Sequence, residues 1–160
     1  MSNISLLRID DRLIHGQVMT GWVKHLNATK IIIIDNELVN DDFMISVLEM
    51  AVLSHMQLNI YSVDNAVSIL KNIQNDGRDD QIIILVKSPL PVWELIKQDV
   101  SFDTLTVGGM GVNENRTKLY RNLAASQSER EAFREISKTG LPILIRVIPN
   151  DNPSDLLQHL

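Results

Sequence analysis

Arg8, Asp10, Asp11, Arg12 and His15 crowd into one short run, RIDDRLIHGQV (residues 8–18). These residue types together suit phosphate chemistry. A free imidazole titrates near ~6.5, so it offers an unprotonated nitrogen at neutral pH. That nitrogen can attack phosphorus and still leave well afterwards, which makes phosphohistidine a relay rather than a store. A phosphoryl group in transit needs its equatorial charge neutralised and in-line geometry held. Guanidinium groups from Arg8 and Arg12 can fork onto phosphate oxygens. Either Asp10 or Asp11 can orient an arginine or the imidazole. Gly16 and Gln17 open a helix whose free amides at Gln17, Val18 and Met19 favour an anion. Gly16 also lets backbone come close to a ligand. Two functional classes stay open on these residues: a covalent phosphoryl carrier through His15, or a non-catalytic small-anion or nucleotide binding or sensor module. Two plainer readings compete with both, a histidine that only caps or packs and arginines that are only solvated.

Such a loop must be held by neighbouring elements. Ile4, Leu6 and Ile9 alternate before it as in a strand, and Val18, Met19, Trp22, Val23 and Leu26 recur after it at helical spacing. Residues 30–35 (KIIIID) and 81–86 (QIIILV) are apolar on both faces, the mark of strands covered on both sides. Residues 57–63, 102–107 and 143–148 read as further strands. Between them lie helix patterns. Asn40, Asp41 and Asp42 precede Phe43, Met44, Val47, Leu48, Ala51 and Val52, with Met44 and Met50 expected in the core. Asp64 stands as a cap before Val67, Leu70 and Ile73, with Gly77 as the stop and a solvated loop after it. Ser88-Pro89 makes a cap and first-position pair. Ser126 or Ser128 starts a helix that Gly140 ends, with its charged residues from Glu129 to Lys138 read as a solvated face. Residues 113–121 resist assignment, and a final turn falls at Leu156 and Leu157. Alternating strands and helices predict a single α/β domain: an open, mostly parallel twisted sheet with helices on both faces. In such sheets ligands collect beyond the carboxyl ends of the strands, where this loop sits.

Composition narrows the chemistry. The chain of 160 residues has no cysteine, which removes disulfides, thiolate metal sites and cysteine nucleophiles together. A net charge of −5 without a basic run, and 4% aromatic residues, argue against nucleic acid. No signal sequence or spanning segment is evident, so a cytoplasmic protein is expected. His25 does not share a helix face with His15, and His55 and His159 sit near predicted helix ends, so no metal is expected. Gly108-Gly109-Met110-Gly111 lacks both nucleotide-loop spacings. Trp22 belongs to an apolar stripe rather than to a sugar platform.

The run of residues 8–18 resembles the active-site segment of IIB components of the mannose–fructose–sorbose family, part of the bacterial sugar phosphotransferase system. Thr106-Val107-Gly108-Gly109-Met110 is similar to that family's NVGGM loop, departing at Thr106. The resemblance implies a phosphotransferase in which His15 is the phosphorylated histidine, on Nδ1. It implies Arg8, Arg12, Gly16 and Gln17 around the phosphate, and Asp10 orienting. Gly108, Gly109 and Met110 would line the site. The donor would be a phosphorylated IIA protein. The acceptor would be a sugar (mannose, fructose, sorbose or N-acetylgalactosamine) held by membrane components IIC and IID, with the chain transiently at the inner membrane face. No cofactor is implied. A stand-alone IIB domain over residues 1–160 is expected, and homo-oligomerisation is left open. The family's sheet has about seven strands, which would require residues 113–123 to supply one.

Overall fold

The computed structural model describes residues 3–76 and 80–160, with Gln17 and Val18 described by backbone alone. The expected stop at Gly77 falls outside the described residues. Strand β1 (Ile4–Asp10) lies near the middle of a sheet. Around it stand β2 (Lys30–Ile34), β3 (Gln57–Tyr61), β4 (Ile82–Val86), β5 (Leu105–Gly109), β8 (Ile143–Ile145) and β9 (Ser154–Asp155), in the order β3-β2-β4-β1-β5-β8-β9. All pairings are parallel except β8 with β9.

The pleat sends alternate residues to opposite cores. Leu7, Ile9, Ile32, Ile34, Ile82, Ile84, Leu105 and Val107 pack under helices α3 (Val63–Asn75), α4 (Pro89–Lys97) and α5 (Gln127–Lys138). Leu6, Ile31, Ile33, Ile83 and Leu85 pack under α1 (Gly16–Leu26) and α2 (Asp42–Ala51). Chain direction makes a crevice between β1 and β5. After β1 the chain crosses by α1 on one face toward β2; after β4 it crosses by α4 on the other face to β5. Loops diverge at such a switch point and leave room for a ligand.

Several expected signals appear as built. Ser88 caps α4 with Pro89 in its first turn, and Ser126 caps α5 through a reciprocal box with Glu129. Others differ for physical reasons. Ser62, not Asp64, caps α3. The seventh strand is not drawn from residues 113–123. There β6 (Thr117–Tyr120) and β7 (Leu123–Ala125) form a separate antiparallel hairpin, turned at Arg121 with φ 49°. The sheet's last strand is instead β9, too short to show any periodicity. Met44 and Met50 are not core: Phe43, Met44, Val47 and Met50 are exposed on α2, and Leu48 alone is buried. That helix is apolar nearly all round, so its pattern could not say which stripe faces the sheet.

Candidate active site

Asp10 ends β1 with its carboxylate fully buried, and Arg8, Arg12 and His15 converge on it. Oδ1 accepts from the Arg12 amide at 3.1 Å and from Arg12 Nε at 3.2 Å. Oδ2 accepts from Arg8 at 3.2 Å and Arg12 at 3.3 Å, and lies 2.9 Å from His15 Nε2. Burial pushes the Asp10 carboxyl up, but the hydrogen bonds from Arg12 and His15 outweigh it and hold it below the usual carboxylate range. An ionised carboxylate only accepts hydrogen bonds. Nε2 of His15 is therefore the protonated ring nitrogen, and the lone pair of the neutral ring sits on Nδ1.

Local backbone brings the histidine over the aspartate. Leu13 (φ 58°) and Gly16 (φ 38°) are both left-handed, and the Leu13 amide closes a turn onto the Asp10 carbonyl at 2.9 Å. The positive φ is the reason for glycine at 16, since a Cβ there would meet nothing within 4 Å. His15 occupies the N-cap position of α1, yet its side chain makes no capping bond and turns to Asp10. The ring is 19% exposed, and Arg12 is 54% exposed. The Met19 amide donates to the His15 carbonyl, so it is not among the free donors expected at the helix start.

Arg8 is a different kind of residue from Arg12. Its side chain has no exposure, lies 5.4 Å from the Trp22 ring centroid and donates to the Arg146 carbonyl at 2.8 Å as well as to Asp10. Arg8 therefore does not fork onto a phosphate as its position in the sequence suggested; it backs Asp10 from below. Burial lowers its pKa, with Asp10 opposing. Space for it comes from the glycine pair at the end of β5. A Cβ on Gly108 would run into the Arg8 guanidinium, and one on Gly109 would lie 2.8 Å from Asp10 Oδ1. The pair thus sits against the site as expected, by leaving room for its charges. Met110 does not line the site: it is buried in the core beneath α3, α4 and α5.

Asp11 points away from His15. Its carboxylate accepts from the Gly111 amide at 2.7 Å and from Arg116 at 2.8 Å. Arg116 makes a fork onto Glu129 at 2.9 and 2.8 Å and also donates to the Gly111 carbonyl. Burial lowers the Arg116 pKa, but Glu129 and Asp11 raise it above the ordinary value overall. Burial raises the Glu129 carboxyl, while Arg116 and the Ser126 amide pull it below the ordinary range. Glu129 is thus a buried anchor rather than part of a solvated face. The sequence held a signal for it, the Ser126–Glu129 box spacing, but none that paired it with Arg116.

A sequence model of the sorbose subfamily IIB component of the phosphotransferase system matches residues 4–160. This chain belongs to that family. The assignment makes it a phosphotransferase component, a phosphoryl carrier that works with other components of the system and a sugar. Among its relatives, the sorbose-specific EIIB component of Lacticaseibacillus casei is 34% identical, with 98% of this chain and 94% of that protein covered. The fructose-specific EIIB component of Bacillus subtilis is 28% identical, with 100% and 97% covered. The crystal structure of the IIBSor domain of the Klebsiella pneumoniae sorbose permease superposes with a TM-score of 0.91 at 34% identity, covering 99% of this chain and 96% of that one. In this IIB chain, then, the structure brings Arg12 and His15 together over the buried Asp10. Arg8, Gly108 and Gly109 lie beneath them, and Gly16 shapes the turn. The Gln17 side chain lies outside what the structure describes. No helix among the described residues is long and apolar enough to cross a membrane.

Proposed function

We propose that His15 is the phosphoryl-carrying residue and that Nδ1 is the atom that bonds phosphorus. The observation that carries this reading is the 2.9 Å contact between His15 Nε2 and a fully buried, ionised Asp10. The neutral ring attacks the phosphorus of a donor phosphohistidine through Nδ1, and the donor nitrogen leaves with the bonding electrons. The ring, still protonated on Nε2, becomes cationic as the new bond forms, and Asp10 compensates that charge. On transfer to a sugar hydroxyl, the hydroxyl oxygen bonds phosphorus and its proton passes to solvent, while the N–P bond breaks and the neutral imidazole leaves without needing another proton.

Arg12 supplies the counter-charge. Its guanidinium uses Nε and one terminal nitrogen on Asp10, which leaves the other terminal N–H groups for phosphate oxygens. Amides at the start of α1 add further donors. We take the donor to be a phosphorylated IIA protein and the acceptor a hexose of the sorbose, fructose or mannose kind presented by membrane IIC and IID components. The chain would act as a single IIB domain in the cytoplasm, docking transiently at the membrane. Incubation with a phosphorylated IIA donor should add one acid-labile phosphate, read as a mass increase of the intact chain. His15→Ala should gain none. Equal labelling of that variant would refute the assignment of His15, and reversible anion binding without a mass change would favour the sensor reading instead.

A further inference from the structure

Beyond the Asp10 cluster, on the far side of β5, lies a second cleft of about 440 Å³. Gly108 forms part of its wall, between the turn of the β6–β7 hairpin and the segments that follow β8. Arg121, Asn122, Arg146, Asn152 and Ser154 all line it, and among the described residues none of their side chains has a hydrogen bond or ion pair within the protein. Nε of Arg146 is buried with no partner, while Arg121 holds a left-handed backbone and lays its guanidinium 5.1 Å from the Tyr120 ring centroid. The one carboxylate, Asp151, accepts from the Ile148 amide at 3.2 Å.

We propose that this cleft binds a phosphorylated hexose, the product class of the reaction assigned above, and the proposal rests on that reading. Two unpaired guanidinium groups supply a cationic pole in a chain of net charge −5, which selects for an anion. Two side-chain amides and a hydroxyl offer both donors and acceptors, which matches a polyol. The volume lies within the range of small-molecule sites and exceeds what a lone phosphate ion fills. The His159 ring already stacks on Tyr120 at 3.9 Å between centroids, and among the described residues no other aromatic ring lines the cleft to sandwich a base. The wall is shared with the active site, since the Arg146 carbonyl and Gly108 both touch the Arg8 guanidinium. Product bound there would press on the residues that support Asp10.

The test is a titration of the full chain with fructose 6-phosphate, mannose 6-phosphate, inorganic phosphate and unphosphorylated mannose, followed by amide chemical shifts. Saturable shifts at residues 120–123 and 146–154 are expected for a hexose phosphate. Affinity for inorganic phosphate and for mannose should be at least tenfold weaker. Arg121→Ala and Arg146→Ala should each weaken hexose phosphate binding tenfold or more, while His15→Ala should bind it as well as the parent. That last variant separates the two ideas: hexose phosphate binding together with undiminished phosphate transfer would leave the cleft standing and put only the carrier reading in question. No shifts at these residues, or equal binding of inorganic phosphate, would overturn the proposal. If the arginine variants unfold, Arg121→Gln and Arg146→Gln provide the same comparison.

Discussion

Two buried knots of arginine and carboxylate flank the same loop, and they are built differently. In the Arg116 knot, Glu129 and Asp11 satisfy the guanidinium almost completely, and a capping box holds Glu129 in turn. In the Asp10 knot, a single carboxylate serves two arginines and a histidine, and two of those three partners reach solvent. A closed knot fixes backbone. An open knot, with donors left over on Arg12 and a free lone pair on His15, has capacity for a ligand. Adjacent aspartates illustrate the division. Asp10 turns to the chemistry and Asp11 to the scaffold, as the pleat at a strand end requires.

The contrast is sharpest at Asp10. Asp10→Asn removes the compensating charge for the phosphorylated ring and frees Nε2 to give up its proton. Phosphoryl transfer from a IIA donor should fall by roughly 10²–10³-fold, within the range that proton placement and electrostatics contribute. Stopped-time labelling would measure it, and a loss under tenfold would break the distinction drawn here. Arg116→Met should act on stability instead. Leaving Glu129 buried without its partner should cost about 3 kcal/mol or more. At roughly 2–4 °C of melting temperature per kcal/mol for a chain this size, the midpoint should drop by around 10 °C. Transfer measured below that midpoint should change far less than in Asp10→Asn.

A smaller effect is expected from Gly108→Ala. The added methyl must displace a guanidinium that Trp22, Asp10 and the Arg146 carbonyl enclose. Overpacking of this kind costs about 1–3 kcal/mol. Because it strikes the open knot, transfer should fall along with stability, which distinguishes it from Arg116→Met.

Acid titration separates the knots more finely. Asp10 and Glu129 both have folded pKa values below their ordinary ones. Each therefore contributes stability that is fully present above the unfolded value, near ~4, and is lost as pH falls through the depressed folded value. In Arg116→Met, only the Ser126 hydrogen bonds still oppose burial at Glu129, so most of its share of that contribution disappears. The stability gap between variant and parent should narrow as pH drops from 7 toward 3. A gap of constant width in denaturant titrations would mean that the pair contributes no charge-dependent stability.

Much of this organisation was legible before any coordinates. Continuous isoleucine runs in β2 and β4 revealed strands covered on both faces, and Ser88-Pro89 and Gly140 marked helix ends. His15, Arg12 and Asp10 were close in sequence, so local spacing sufficed to group them. What could not be read was whatever depends on contacts between distant segments. Arg8 resembled Arg12 until the burial of β1 in the sheet interior and the approach of Gly108 separated their roles. Arg116 meets Asp11 across more than half the chain, and nothing local announces that pairing. The outward stripe of α2 was equally hidden, because an all-round apolar helix carries no directional pattern.

The central claim concerns which ring nitrogen holds the phosphorus. Two-bond proton–nitrogen correlation on histidine-labelled protein, before and after phosphorylation by a IIA donor, reads both nitrogens of His15 directly. A proton on Nε2 in the free protein, and phosphorus on Nδ1 with that proton retained afterwards, is the predicted result. Phosphorus on Nε2, or a free protein with its proton on Nδ1, would contradict the role given to Asp10.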